Sequence, residues 1–249
     1  MHNFDSLGYL KNEIFEKFEI NNFSVLKDNL FLRNIKYNNI EILKLISFLV
    51  RDKNWNNYSP KIIKTSSYNK DKKLHFEFDL KYGDAELLEV KLILSIGNNA
   101  VKLTAKGNFL TDFWTNRVGF NLLLPLEGVV NQQVIVSKSD HSTETLKYPL
   151  IIQPDQPMVK FNNLSYEMFD SIDLNIRFDG IHFEMEDQRN WGDASYKIYS
   201  GSLLDPFPYK ENKNSDFHQE IEITVRKKNN SLVTTSNQNI LPNNIRHVN

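Results

Sequence analysis

Apolar and polar residues alternate with a period of two along most of this chain. Residues 74–80 read L-H-F-E-F-D-L, 89–96 read E-V-K-L-I-L-S-I and 100–107 read A-V-K-L-T-A-K-G. Successive side chains of a strand point to opposite faces, so each segment predicts a strand with one buried face. The last two flank Gly97-Asn98-Asn99, a short turn that predicts a hairpin. Residues 134–138, 172–178, 181–186 and 219–227 follow the same habit, and Asp179-Gly180 predicts a type I′ hairpin between two of them. Residues 119–124 are apolar on both faces and read as a central strand. Residues 41–48 fit helix or strand, and their strand context favours strand. Helical periodicity is confined to residues 6–18, where Leu7, Leu10, Ile14, Phe15 and Phe18 fall near one stripe.

Many strands, frequent turn signals and little helix predict an all-β fold: a large antiparallel β-sandwich with a short N-terminal helix. Predicted strands of seven or eight residues exceed the usual five or six. They point toward large curved sheets packed face to face, as in a galactose-mutarotase-like supersandwich. Residues 1–228 read as one sandwich domain and residues 229–249 as a polar, flexible tail.

Composition narrows the function classes. The chain has 249 residues, no Cys, and 30 basic against 31 acidic residues. Without Cys there is no disulfide scaffold, thiolate metal site or cysteine nucleophile, and a reducing cytoplasm is compatible. The near-neutral balance gives no argument for nucleic acid or an anionic membrane as partner. No basic-then-apolar leader opens the sequence, and no stretch is long and apolar enough for a membrane helix. No phosphate loop, nucleophile elbow or metal-binding His pair occurs, so no metal or cofactor is expected.

The densest polar segment is residues 183–197, F-E-M-E-D-Q-R-N-W-G-D-A-S-Y-K. In a strand, His182, Glu184 and Glu186 share one face while Phe183 and Met185 share the other, which should face the core. Asp187, Arg189, Asp193 and Lys197 follow in a turn. Trp191 and Tyr196 interleave the charges and offer flat surfaces on which sugars stack. Gln188, Arg189 and Asn190 carry donors suited to hydroxyls or a carboxylate. A solvated, salt-bridged strand face is the plainer reading of the same residues. Arg117, just before the central strand, is either a strand-end ion pair or an anchor for a substrate oxygen. Arg51 and Asp52 would face opposite ways, so each needs its own partner. Gln153-Pro154-Asp155-Gln156-Pro157-Met158 reads as a rigid turn.

The block F-E-M-E-D-Q-R-N-W-G-D-A-S-Y-K-I-Y resembles a signature of the D-apionate lactonase family, F-E-M-E-D-Q-R-N-W-T-D-A-S-F-K-T-Y. Weaker matches in the same order are L-R-N-I, E-I-L-K and F-L-V-R-D-K-N-W from Leu32 onward, T-N-R-V-G-F over 115–120, and Q-P-D-Q-P-M over 153–158. The resemblance implies the all-β N-terminal region of a longer bacterial enzyme, with a (β/α) barrel following in known members. It implies opening of a branched sugar-acid lactone to the acid. Three departures stand out. Leu123-Leu124-Pro125 replaces the family's L-H-P, removing an imidazole. Gly192 replaces the Thr of N-W-T-D, and residues 203–208 alter a proline-rich segment.

Two functions follow. The first is a lactonase-type hydrolase with Glu184, Glu186 and Arg189 as catalytic candidates. Either Glu could activate water, and Arg117, Arg189 or Lys197 could hold the oxyanion. Arg117, Asp187, Asn190, Trp191, Asp193 and Lys197 are the substrate-binding candidates, with a sugar acid or lactone as ligand. The second is a non-catalytic module that binds a sugar acid or completes an enzyme whose barrel lies on a separate chain. A diverged sandwich whose polar block is purely structural is the third possibility.

Overall fold

In a computed structural model, residues 15–228 are described, apart from 29, 84 and 85. Seventeen strands and one 3-10 turn account for the regular structure of these residues. In chain order the strands are β1 (Glu16–Ile20), β2 (Phe23–Asp28), β3 (Phe31–Tyr37), β4 (Ile40–Asp52), β5 (Pro60–Lys70) and β6 (Lys73–Tyr82). Then come β7 (Leu88–Gly97), β8 (Ala100–Phe109), β9 (Phe113–Pro125), β10 (Gln133–Lys138), β11 (Thr143–Lys147) and β12 (Met158–Met168). The rest are β13 (Ile172–Asp179), β14 (Phe183–Asp187), β15 (Ser195–Ser200), β16 (Tyr209–Glu211) and β17 (Asp216–Lys227).

Every pairing between these strands is antiparallel. One layer runs β1-β2-β3-β4-β9-β15-β14, with β16 beside β15 on the same edge of β9. The other runs β5-β6-β7-β8-β17-β13-β12-β10-β11. Alternation supplies each layer with one apolar face, and the two faces meet in a single core. Phe48 of β4 packs on Tyr82 of β6 and Phe217 of β17, and Phe18 of β1 packs on Phe76 of β6. The fold is the large antiparallel sandwich that the alternation predicts.

Local chemistry explains the turns. Asn98 and Asn99 take positive φ of 51° and 60°, the geometry a two-residue hairpin needs, between Gly97 and its partner Ala100. Central strand β9 is paired on both edges, with β4 and with β15 and β16.

Two expectations change. The helix expected over residues 6–18 lies mostly outside the described residues, and its end, from Glu16 to Phe18, is strand β1 instead. That segment pairs with β2, and tertiary pairing outweighs a short helical stripe. The hairpin expected at Asp179-Gly180 does not form, because β13 and β14 do not pair with each other. Both lie along the same edge of β12, end to end, and the chain crosses between layers at Gly180. Gly180 has φ +92°, and a Cβ there would sit 2.2 Å from the His218 carbonyl oxygen. The tail expected over 229–249 lies outside the described residues. No helix among the described residues is long and apolar enough to cross a membrane.

Candidate functional site

The face of β4, β9, β15 and β14 turned away from the core carries most of the polar candidates. Register fixes this, because residues opposite one another in an antiparallel pair share a face. One row across the sheet is Ser47, Asn121, Tyr199 and Glu184. The next row is Leu45, Leu123, Lys197 and Glu186. Toward the other end of the sheet, Arg51 lies directly opposite Arg117. The apolar alternates Phe48, Val50, Val118, Phe120, Leu122, Phe183 and Met185 belong to the core.

Glu184 is fully buried, not on a solvated face. It accepts hydrogen bonds from the Tyr199 hydroxyl at 2.6 Å, the Leu203 backbone N–H at 3.2 Å and the Ser202 hydroxyl. Three donors compensate the desolvation of its carboxylate. Glu186 is more open. Its carboxylate pairs with the Lys197 ammonium and accepts from the Trp191 indole N–H at 2.7 Å. Burial pulls the Lys197 ammonium below the usual lysine range, against the opposing pull of Glu186.

Arg117 is only 7% exposed. Its guanidinium carbon sits 3.6 Å from the centroid of the Tyr199 ring and 5.4 Å from that of Trp55. Arg51 lies against the same Trp55 ring at 5.8 Å. Burial lowers the Arg117 pKa, with Tyr199 and Glu186 opposing and Arg51 adding to the fall. Burial and the Glu184 hydrogen bond raise the Tyr199 phenol well above its ordinary range. Trp55 has φ +69°, a conformation that bulky residues rarely adopt. Asp52 holds its turn by accepting from the backbone N–H groups of Asn54 and Asn56, both at 2.8 Å, and from the Asn56 amide. Asp52 thus finds its partners within the turn, while the Arg51 side chain has no hydrogen-bond or ion-pair partner among the described residues, only the Trp55 ring.

A cavity of ≈ 210 Å³ adjoins this stack, lined by Asn116, Arg117, Ser202, Phe207 and Tyr209 among others. Asn116 is the extra residue of a bulge in β9, since Arg51 pairs with Arg117 but Asp52 with Thr115. Burial pushes the Tyr209 phenol up to about 12.

The remaining candidates lie elsewhere. Asp187 ends β14 on the core side and caps the 3-10 turn Gln188–Trp191. Arg189 donates to both Asp187 oxygens, at 2.8 and 2.7 Å, and to the carbonyls of Leu150 and Pro149 at 3.0 and 2.8 Å. Asn190 donates to the Gln153 carbonyl, and the Gln153 N–H donates to Asp187 at 3.1 Å. These three side chains fasten the loop that carries Leu150, Ile151 and Ile152. Asp193 accepts from Ser195 in its own turn at 2.9 Å. Trp191 is 74% exposed, and its indole N–H links it to Glu186 on the polar face. His182 bonds Asp205 at 2.5 Å, and Asp205 also pairs with Lys160 at 2.6 Å. The face therefore gathers Arg117, Glu184, Glu186 and Lys197, with Trp191 at its rim. Asp187, Arg189 and Asn190 form a separate network.

Arg51, Trp55, Tyr199 and Ser202 join the site without having been expected there. The available signal was the odd dipeptide Arg51-Asp52, which demanded two partners. Leu124 belongs to the core face and is fully buried.

Residues 11–228 match the family profile of the D-apionate lactonase N-terminal domain. The D-apionate lactonase of Brucella anthropi is 33% identical over 197 residues, covering 78% of this chain and 32% of that protein. The chain thus spans about a third of the length of this curated relative. A galactose mutarotase-like protein from Clostridium acetobutylicum has a similar structure, with TM-score 0.58 and 8% identity, covering 87% of this chain and 96% of its own. A putative aldose 1-epimerase from Escherichia coli K12 gives TM-score 0.52 and 8% identity, covering 87% of this chain and 100% of its own. These structural likenesses concern the fold.

Proposed function

The chain belongs to the D-apionate lactonase N-terminal domain family, and from that premise we propose that its polar sheet face opens a sugar-acid lactone by hydrolysis. The observation that carries the proposal is the placement of Glu186, Lys197 and Arg117 on one face, with Glu186 the more open of its two glutamates. A water molecule attacks the lactone carbonyl carbon and its proton passes to Glu186. The negative charge on the carbonyl oxygen is stabilised by the Arg117 and Lys197 cations. Collapse breaks the ring C–O bond, and the departing alkoxide takes a proton from Lys197, whose lowered pKa favours release. Glu186 then returns its proton to Lys197, leaving a hydroxy acid. Glu184, bound to three donors, positions Tyr199 beneath Arg117. The exposed Trp191 ring flanks the site as a surface for the apolar side of a sugar.

The test is the rate of ring opening of D-apionolactone and common aldonolactones, followed by acid release. Glu186→Gln should lower the rate by about 10²–10⁴-fold, the usual contribution of a general base. Wild-type protein no faster than buffer would sink the hydrolytic reading.

A second reading is a sugar-acid-binding module that completes an enzyme with its barrel on a separate chain. It is favoured by the exposed residues Leu150 and Ile151, on a loop whose carbonyls Arg189 holds. Saturable binding of the acid without turnover supports it.

A further inference from the structure

Two arginines face each other across β4 and β9 with no acid between them. Like charges directly opposite in a sheet repel, and a sheet normally avoids the arrangement. Neither Arg51 nor Arg117 takes part in a salt bridge among the described residues, where Glu186 is engaged by Lys197 and Glu184 by three hydrogen-bond donors. The Nε of Arg51 is buried and has no hydrogen-bond partner, and Arg117 is more than nine-tenths buried. Both guanidiniums lie near the ring of Trp55, itself held at positive φ, and Arg117 also lies over the Tyr199 ring. Two further buried acceptors lack donors: Asn121 Oδ1 on the same face, and Asn116 Oδ1 in the bulge next to Arg117, with which it lines one cavity. Buried polar atoms left unpaired call for an explanation, and strained residues collect where ligands bind.

We propose that Arg51 and Arg117 form an anion clamp that takes the carboxylate of an open-chain sugar acid, with the hydroxyls of that acid as donors for Asn116 and Asn121. Guanidinium forks match carboxylate geometry, and an anion between them relieves their repulsion. The inference rests on the lactone-opening reading for the identity of the acid, but it assigns the clamp to the charged acid rather than to the neutral ring. The acid is therefore a tight product and an inhibitor of its own formation.

The experiment is calorimetric titration of the full chain with D-apionate and D-gluconate, with gluconamide as the uncharged isostere and glucose 6-phosphate as the phosphate arm. The acids should bind at least tenfold more tightly than gluconamide, and the advantage should shrink as salt rises. Arg51→Gln and Arg117→Gln should bring acid and amide to near equality. Arg51→Gln should also raise, or leave unchanged, the melting temperature of the ligand-free protein, because it removes a repulsion; a structural arginine would give a clear fall. Equal binding of acid and amide to the wild type overturns the clamp even if lactones are opened. Tight acid binding without ring opening keeps the clamp and overturns hydrolysis. Preference for glucose 6-phosphate over both acids overturns the carboxylate assignment. Should a variant fail to fold, the wild-type comparison of acid and amide decides alone.

Discussion

Arg189 donates to both oxygens of Asp187 and to two loop carbonyls, so its side chain closes a buried ion pair and a loop at once. Truncation leaves the buried Asp187 carboxylate without its cation. Arg189→Ala should therefore cost about 3 kcal/mol of stability, read by urea denaturation. Ring opening per folded molecule should change far less than in Glu186→Gln. Lost activity at an unchanged unfolding midpoint would instead return Arg189 to the chemistry. Asp52 acts at similar remove from the ligand. Its carboxylate is held below its ordinary value, first by the Asn56 side chain, and it shapes the turn that raises Trp55. Asp52→Ala should weaken acid binding several-fold in the same titration while leaving the sheet intact by circular dichroism. At this scale the candidate block was partly legible. Glu184 and Glu186 sit two apart and share a face, as period two requires. Asp187 and Arg189 took structural work because Asp187 fell on the other face of the same strand.

At the scale of elements, register and bulges decide the site. β9 supplies Arg117 and Asn121 to one face and Val118, Phe120 and Leu122 to the core, and β4 and β15 complete each row. A one-residue slip of β9 would reverse these faces, so the apolar alternates hold the polar ones in place. The crossing at Gly180 sends β14 to the site layer after β13 has paired in the other. Gly180→Ala should destabilise by about 1–3 kcal/mol, because its φ is positive and the His218 backbone leaves no room for a Cβ. Thermal denaturation checks this, and an unchanged melting temperature would mean the backbone relaxes freely. The pattern 172–178 followed by 181–186 was readable as two strands. That they continue into different layers was not, since Asp-Gly serves a tight hairpin and a layer crossing alike.

For the whole molecule, pH should act through carboxylates held in the folded state. Burial raises Asp187 and Asp205, but bonds from Arg189 and Gln153 to the first, and from Lys160 and His182 to the second, outweigh it and lower both. The Tyr68 bond lowers Glu77 and the Lys102 bond lowers Glu222, while burial raises Glu211 in opposition. A group whose folded pKa is lowered binds fewer protons folded than unfolded. Its stabilisation is complete above the unfolded carboxylate value, about 4, and is lost as pH falls through the lowered folded value. Melting temperature should thus fall on acidification from about pH 5 toward pH 2. A flat or rising profile there would show that these pairs persist unfolded or that Glu211 prevails.

Period-two alternation and Asn and Gly turns act through neighbours in the chain, so the large antiparallel sandwich is legible in the sequence alone. The sequence also placed the chain in its family, through one long block and several short ones. Which polar residues meet depends on contacts between strands far apart in the chain. Arg51 and Arg117 are 66 residues apart in the chain, and no local pattern states that β4 lies beside β9 in the register that sets them opposite each other. Pairing between distant strands is chosen by burial of the whole core, and the polar face inherits its geometry from that choice.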